Sequence, residues 1–339
     1  RLGAAEDALA ALHHLLSLTQ VRARVVRVND ETASTKTFVL QPNALWLGAQ
    51  AGQFVLVQME IAGRRVERAY SLSSRPGSRH LAITVKRQDQ GLVSRHLHDA
   101  VKVGDVLTIS QALGEFSMPA DLPGKILLLS AGSGITPVMA MLRDLQGRRY
   151  QGDVVFLHVC HAPDDLIFGK QLAAIAGEFA ELSLVVHYSA TEGRLTPEVL
   201  ALEVPDLAQR STWMCGPTGF MDVVAAYWHA QGLPAPLYSE RFVGAPLLPS
   251  TASGTPVQVS MLESGSSFTT LGTEPLLVQA ERAGLSPKHG CRIGICRSCQ
   301  CVKTSGTVEN LQTGELSSTP NELIRLCIST ARSDVVVAL

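Results

Sequence analysis

The sequence lacks any feature that would commit it to a polymer or to the interior of a membrane. Its 29 Lys and Arg nearly cancel its 30 Asp and Glu across 339 residues, so no excess charge calls for nucleic acid or a strongly charged bilayer. No uninterrupted apolar run approaches the roughly 18 to 20 residues of a membrane span. The richest, ILLLSAGSGITPVMAML, is broken by Gly132, Gly134 and Pro137. None of the ten histidines stands at C-x-H spacing near two further cysteines, which excludes a Rieske centre. His158, His161 and His187 read as ordinary strand or loop residues, and Asp164-Asp165 as a helix cap. No Ser/His/Asp set, paired-carboxylate site or internal repeat emerges. The seven cysteines do not pair along the chain: Cys291, Cys296, Cys299 and Cys301 crowd one loop. That pattern reads as a metal site in a reducing compartment, hence a cytoplasmic protein, not a disulfide frame. The chain opens on Arg1 instead of Met, as expected of a trimmed chain that has room for a removed targeting segment.

A chain this long exceeds what one core usually organises, so several domains are expected. Residues 1–20 (ALAALHHLLSL) read as a helical, partly amphipathic segment. It either docks on the next domain or makes a peripheral membrane or partner contact. Residues 21–121 carry short β-branched alternating runs (RARVVRV, TKTFVL, GQFVLVQM, RAYSLSS, HLAITVKR, DVLTIS) separated by turn residues, the pattern of an antiparallel β-barrel. From 122 to 243 apolar strands alternate with helices, which implies a Rossmann-like α/β domain with a parallel sheet. Residues 244–255, dense in Pro, Gly, Ser and Thr, form a flexible linker. The last domain, 256–339, shows strands (VQVSML, SFTTLG), a helix (PLLVQAERAGL), the cysteine loop and a final strand, DVVVAL.

Soft thiolates imply zinc or iron with sulfide, and spacing is the arbiter. Structural zinc favours paired C-x2-C hooks. Here Cys291, Cys296 and Cys299 stand in C-x4-C-x2-C, followed by Cys327 after 27 intervening residues. This resembles the plant-type [2Fe-2S] ferredoxins. The resemblance implies an α+β β-grasp domain with Cys291, Cys296, Cys299 and Cys327 as cluster ligands. Gly290 and Gly294 let the backbone wrap closely there. On an extended chain Cys301 faces the same side as Cys299, so it is either a swapped ligand or a buried spare thiol. Arg292, Arg297 and Lys303 either offset the cluster's charge and favour an acidic docking partner or are ordinary solvated side chains.

The segment RAYSLSS resembles the R-x-Y-S motif of the ferredoxin-NADP reductase superfamily, and GSGITP with CGP extends the likeness. With the ferredoxin segment it spans nearly the whole chain from Val21, in the order flavin, nicotinamide, ferredoxin. The resemblance implies that Arg68 neutralises a flavin nucleotide's phosphate, that Tyr70 offers a flat face to the isoalloxazine, and that Ser71 reaches N5. Thr84, Val85 and Lys86 (ITVKR) and Gly91, Val93 and Ser94 (GLVS) resemble the family's next two flavin contacts, the latter at a helix start suited to a pyrophosphate. This form matches FAD-binding members better than FMN-binding ones, with FMN still open. Gly132, Gly134, Thr136 and Pro137 follow an apolar strand and open a helix, where backbone amides meet a dinucleotide. Cys215, with Gly216 and Pro217, lies by resemblance near the nicotinamide C4; the plainer reading is a buried structural cysteine. Glu240 and Phe242 look like the family's acidic and aromatic pair beside the flavin. Ser189 is followed by Ala190 and not by the arginine common in NADPH-preferring relatives, but Arg194 is close enough to substitute. The nucleotide is therefore left as NAD(P)H.

Electron counting supplies the expected mechanism. NAD(P)H yields two electrons together, a [2Fe-2S] cluster takes one, and the flavin between them must accept a pair and release singles. The chain is expected to be an oxidoreductase feeding a separate terminal acceptor: an oxygenase, a hydroxylase, a fatty-acid desaturase or the hybrid-cluster protein, with a lean towards the desaturase. The alternative is a flavin and iron-sulfur sensor without steady turnover.

Overall fold

The computed structural model describes residues 17–61, 63–242, 247–248, 255–290, 292–294 and 297–339. The helical segment expected over 1–20 lies outside them except for its last four residues, and most of the linker is also outside. Among the described residues, no helix is long and apolar enough to cross a membrane. The chain divides into two compact units, Arg1–Phe242 and Val243–Leu339.

The first unit begins with β1 (Val21–Thr32), β2 (Thr35–Pro42), β3 (Phe54–Ile61), β4 (Arg64–Ser71), β5 (Leu81–Lys86) and β6 (Val106–Ile109). They form an antiparallel sheet in the order β4-β3-β6-β1-β2-β5. A bridge from Leu72 to Ile83 joins the end of β4 to β5 and closes the barrel. Alternation drives this closure. Val21, Ala23 and Val25 of β1, Phe38 and Leu40 of β2, and Ile83 and Val85 of β5 point into one core, because successive strand side chains face opposite ways. Helix α1 (Leu92–Asp99) plugs the same core with Val93 and Leu97.

Five parallel strands follow: β7 (Lys125–Ala131), β8 (Asp153–Cys160), β9 (Leu182–Tyr188), β10 (Ser211–Cys215) and β11 (Leu237–Glu240), ordered β11-β10-β7-β8-β9. Ile126 and Leu128 face helices α2 (Ile135–Gly147) and α3 (Gly169–Glu178). Past the short α4 (Ser189–Glu192), Leu127 and Leu129 face α5 (Pro197–Glu203) and α6 (Thr218–Ala230) on the other side. Burial on both faces accounts for the continuous apolar run of β7. From β7 the chain winds to β8 and β9 on one side, then crosses back to β10 and β11 on the other. The carboxyl ends of β7 and β10 therefore flank a topological switch point, where open α/β sheets bind ligands. Asp164 and Asp165 do not cap a helix. They lie in a 3-10 turn, Pro163–Asp165, without a side-chain cap, and α3 starts later, after Phe168 in the left-handed region.

The second unit builds a mixed sheet, β13-β12-β19-β14-β17, from β12 (Val257–Met261), β13 (Ser266–Thr270), β14 (Gln300–Ser305), β17 (Glu322–Arg325) and β19 (Val335–Ala338). A small second sheet orders β15 (Val308–Asn310), β16 (Leu316–Ser317) and β18 (Ser329–Ala331) as β16-β15-β18. Helix α7 (Leu276–Arg282) covers the core with Leu276, Leu277 and Ala280. Lys303, expected near the surface beside the cluster, is instead fully buried. Its ammonium donates to the carbonyls of Gly306 (3.0 Å) and Ser317 (3.1 Å) and faces Glu322 at 3.4 Å. A buried cation needs that full complement, so Lys303 pins the two sheets and offers no charge to a partner.

Candidate functional site

The switch point is built from two glycine turns in contact. After β7, Gly132 turns left-handed (φ 54°) and a 3-10 turn, Gly132–Gly134, leads into α2. After β10 comes Cys215-Gly216-Pro217. A Cβ on Gly134 would stand 2.2 Å from the Cys215 carbonyl oxygen and 2.6 Å from the Gly216 nitrogen; one on Gly216 would meet Phe220 at 2.8 Å. Only glycine allows this approach. Thr136 donates to the Ser133 carbonyl at 3.1 Å, which ties the turn to the helix, and Pro137 sits in the first helical turn, where an amide is dispensable.

Cys215 on β10 and Glu240 on β11 are register partners at the carboxyl edge. Burial pushes the Cys215 thiol well above its usual range, with the Glu240 charge adding to the effect, so it stays protonated and is no nucleophile. Glu240 as a residue is half-buried, but its Oε2 is closed from solvent and has no hydrogen-bond partner among the described residues. Burial raises its carboxyl to about 8, leaving it neutral at pH 7. An orphaned, enclosed carboxyl at the mouth of two glycine turns fits a flat redox ring that accepts a hydrogen bond or a proton. Phe242, just beyond, is exposed.

The R-x-Y-S residues lie along β4. Arg68 is exposed and donates to the Glu67 carbonyl at 2.7 Å. Tyr70 is half-buried, and burial raises its phenol above the ordinary range, opposed by Arg68. Ser71 is buried opposite Phe54. Thr84 is already engaged: its hydroxyl lies 2.8 Å from Thr37 and 3.0 Å from Ser73, and Thr37 donates to Glu31 at 2.7 Å. Sequence reading found Thr84 but not this chain of hydroxyls, whose only trace was threonine at alternating positions 35 and 37. Val85 and Val93 bury their side chains in the barrel core, so only their backbone can meet a cofactor. Lys86 ends β5 exposed. Helix α1 begins after Gly91 with neither a side-chain cap nor an acid in its first turn, which leaves amides free for an anion. Ser94 accepts from the Gln88 amide at 3.1 Å, and a Cβ at Gly91 would strike the Ser94 hydroxyl at 2.4 Å. Ser189 opens α4 at the end of β9, and Arg194 is exposed just past Gly193.

In the second unit Cys299 and Cys327 are both buried, and the Leu326 amide donates to the Cys299 carbonyl at 3.2 Å, which draws their segments together. Cys291 and Cys296 lie outside the described residues. The residues that follow them, Arg292 (φ 61°) and Arg297 (φ 58°), are left-handed, as is Gly294 (φ 82°). Left-handed residues are the kind from which anion-binding nests are built, which suits a cluster bearing negative charge. The Gln312 amide donates to the Ile293 carbonyl at 3.0 Å, and Arg325 donates to the Gly294 carbonyl; both steady the loop from outside. Arg292 is held by Glu281 at 2.5 and 2.9 Å. Burial raises the Cys301 thiol to about 12, with Cys299 adding to it.

Comparison with known proteins identifies the domains of the chain. Residues 22–118 match the oxidoreductase FAD-binding domain, 128–226 the oxidoreductase NAD-binding domain, and 263–332 the 2Fe-2S iron-sulfur cluster binding domain. An NADPH oxidoreductase of Mycobacterium tuberculosis is 35% identical over 98% of this chain and 88% of its own. A glycine betaine monooxygenase reductase subunit of Pseudomonas aeruginosa is 32% identical over 93% of this chain and 94% of its own. The solved structure of phthalate dioxygenase reductase, at 22% identity, shares the fold with a TM-score of 0.65 over 95% of this chain and 98% of that one. The chain therefore belongs to the ferredoxin-NADP reductase superfamily, among the flavin and [2Fe-2S] reductases that pass electrons from NAD(P)H through FAD to a plant-type cluster.

Proposed function

We propose that the chain is the reductase component of an oxygenase system, a cytoplasmic protein handing single electrons to a separate oxygenase or hydroxylase. The likeness to the glycine betaine monooxygenase reductase subunit of Pseudomonas aeruginosa supports an oxygenase over the desaturase leaning of the sequence. The observation that carries the assignment of residues is the contact of the Gly134 and Gly216 turns beside Cys215 and Glu240. Bound FAD supplies an acceptor for an electron pair that can be passed on singly. Arg68 and the amides at Val93 and Ser94 hold its phosphates, with Gly91, whose own amide donates to the Gln88 carbonyl at 2.9 Å, setting the turn before them; Tyr70 and Phe242 flank its ring, Ser71 reaches N5, and Thr84, Val85 and Lys86 line its course. Gly132, Gly134, Thr136, Pro137, Gly216 and Pro217 seat the nicotinamide dinucleotide, with Ser189 and Arg194 towards its adenosine end. Cys215 is a neutral wall against which the nicotinamide is positioned, and Glu240 holds a proton at that edge. Cys291, Cys296, Cys299 and Cys327 bind the cluster.

Anaerobic titration with NADH and with NADPH, following the flavin and cluster bands separately, tests this reading. The flavin is expected to bleach first and the cluster after it, with steady turnover on ferricyanide and cytochrome c. Protein that takes electrons from neither nucleotide, or that contains zinc in place of iron and sulfide, would refute it.

Glu240 adds a pH signature. Its carboxyl ionises near 4.5 when free and near 8 in the fold. Between those values the folded chain binds a proton that the unfolded chain has lost, so this group's contribution to stability is present below 4.5 and is lost as pH rises through 8. Turnover that relies on the held proton should likewise decline above about 8. Glu240→Gln should flatten both profiles at a lower rate. A variant whose pH–rate curve overlays the wild type removes Glu240 from the reaction.

A further inference from the structure

A cleft of about 670 Å³ opens in the first unit between the outer face of β1, β2 and β5 and the carboxyl end of α2. Arg27, Arg75, His80, Arg143 and Arg149 line it, and no carboxylate does. That concentration of one sign is out of keeping with a chain whose charges otherwise cancel. The side chains of Arg27 and Arg149 have no ion-pair or hydrogen-bond partner among the described residues. Arg75 has one long bond, 3.3 Å to the Gly147 carbonyl. A Cβ on Gly147 would stand 2.2 Å from that guanidinium, so the glycine is what lets Arg75 lie along the wall. Arg143 donates to the Ser73 carbonyl and to Gln171, and lies 4.9 Å over the Phe168 ring. Burial lowers it to about 10, with Glu31 opposing, which leaves it cationic at neutral pH.

The chemistry of the lining narrows the occupant. Guanidinium forks match the paired oxygens of phosphate, and Asn29, Ser74 and Ser78 add neutral donors. No Phe, Tyr or Trp lines the cleft and His80 is its one ring, so recognition falls on the guanidinium groups more than on base stacking. The volume is generous for one phosphate ion and suits a small molecule bearing several anionic groups. None of the residues assigned to flavin or dinucleotide lines it. Thr37 does, however, and its hydroxyl is bonded to that of Thr84.

We propose that this cleft binds a small, multiply phosphorylated anion, clamped between the barrel and the parallel-sheet domain by Arg27, Arg75, Arg143 and Arg149. Tripolyphosphate is the probe, titrated calorimetrically into the full-length holoprotein at constant ionic strength, with thermal unfolding in parallel. Saturable one-to-one binding and a later melt are expected. The double variant Arg27→Gln/Arg149→Gln should weaken binding at least about tenfold, since charge-assisted bonds to both walls are lost. Without the probe it should melt no lower than the wild type, because both side chains are exposed and unpartnered. Lys102→Gln, at an exposed lysine outside the cleft, should leave binding unchanged. Binding unaltered by the double variant, or a melting shift that sodium chloride reproduces, overturns the site. Equally tight binding of citrate overturns its assignment to phosphate.

Discussion

Replacing Cys327 by serine should bleach the visible [2Fe-2S] spectrum, while Cys301→Ser should leave it intact. The pair is informative because the two thiols are alike in everything but their place in the loop. Both are buried, at 3% and 6% exposure, and both belong to one apolar cluster with Cys299. Each serine therefore introduces a hydroxyl into the same core at a similar cost, about 1–3 kcal/mol. A difference in cluster content then reports ligation and not packing. Cys327 sits between β17 and β18, next to Leu326, whose amide is bonded to the Cys299 carbonyl. Cys301 lies within β14 opposite Ile324. Cytochrome c reduction in Cys327→Ser should fall at least about 100-fold, beyond the 10- to 100-fold that loss of an outer partner of a metal site costs. Ferricyanide, which the flavin can serve directly, should still be reduced. Iron and sulfide analysis beside the spectra checks the result. Bleaching by Cys301→Ser with Cys327→Ser coloured would reverse the ligand assignment.

The parts of this molecule that could be read in the sequence are those in which local pattern and burial coincide. β1 alternates buried and half-buried residues along its first half, and β7 is an unbroken buried run, so period alone separated barrel from parallel sheet. Strands β14 to β18 escaped because they are two to six residues long and rich in polar side chains. They are stabilised by pairing that no local window contains, and Lys303 at their centre looks like a surface residue until Gly306, Ser317 and Glu322 converge on it. The same limit applied at the site. Motifs placed Gly134 and Cys215 at strand ends, but their contact joins segments some 80 residues apart. The enclosure of the Glu240 oxygen depends on neighbours supplied by several elements. The residue types were legible; the orphaned carboxyl and the side-chain burial of Val85 and Val93 were not.

That contact yields the second large effect, a contrast between two glycines of one turn. Gly132→Ala meets nothing within 4 Å but occupies the left-handed region (φ 54°), so it should cost about 1–2 kcal/mol of backbone strain and little activity. Gly134→Ala has ordinary helical backbone but drives its Cβ against the Cys215 carbonyl at 2.2 Å and the Gly216 nitrogen at 2.6 Å. Both obstacles are main chain, which no rotamer change can move aside. The ends of β7 and β10 must separate by something near an ångström, and a misplacement of that size costs on the order of 100-fold in rate. kcat/KM for NAD(P)H should therefore fall about 100-fold in Gly134→Ala and only a few-fold in Gly132→Ala. The flavin and cluster spectra should stay unchanged in both, because neither cofactor's assigned ligands touch this clash. Gly134→Ala within about threefold of wild type would mean that the turns part without consequence, and that the nicotinamide is not seated where β7 and β10 diverge.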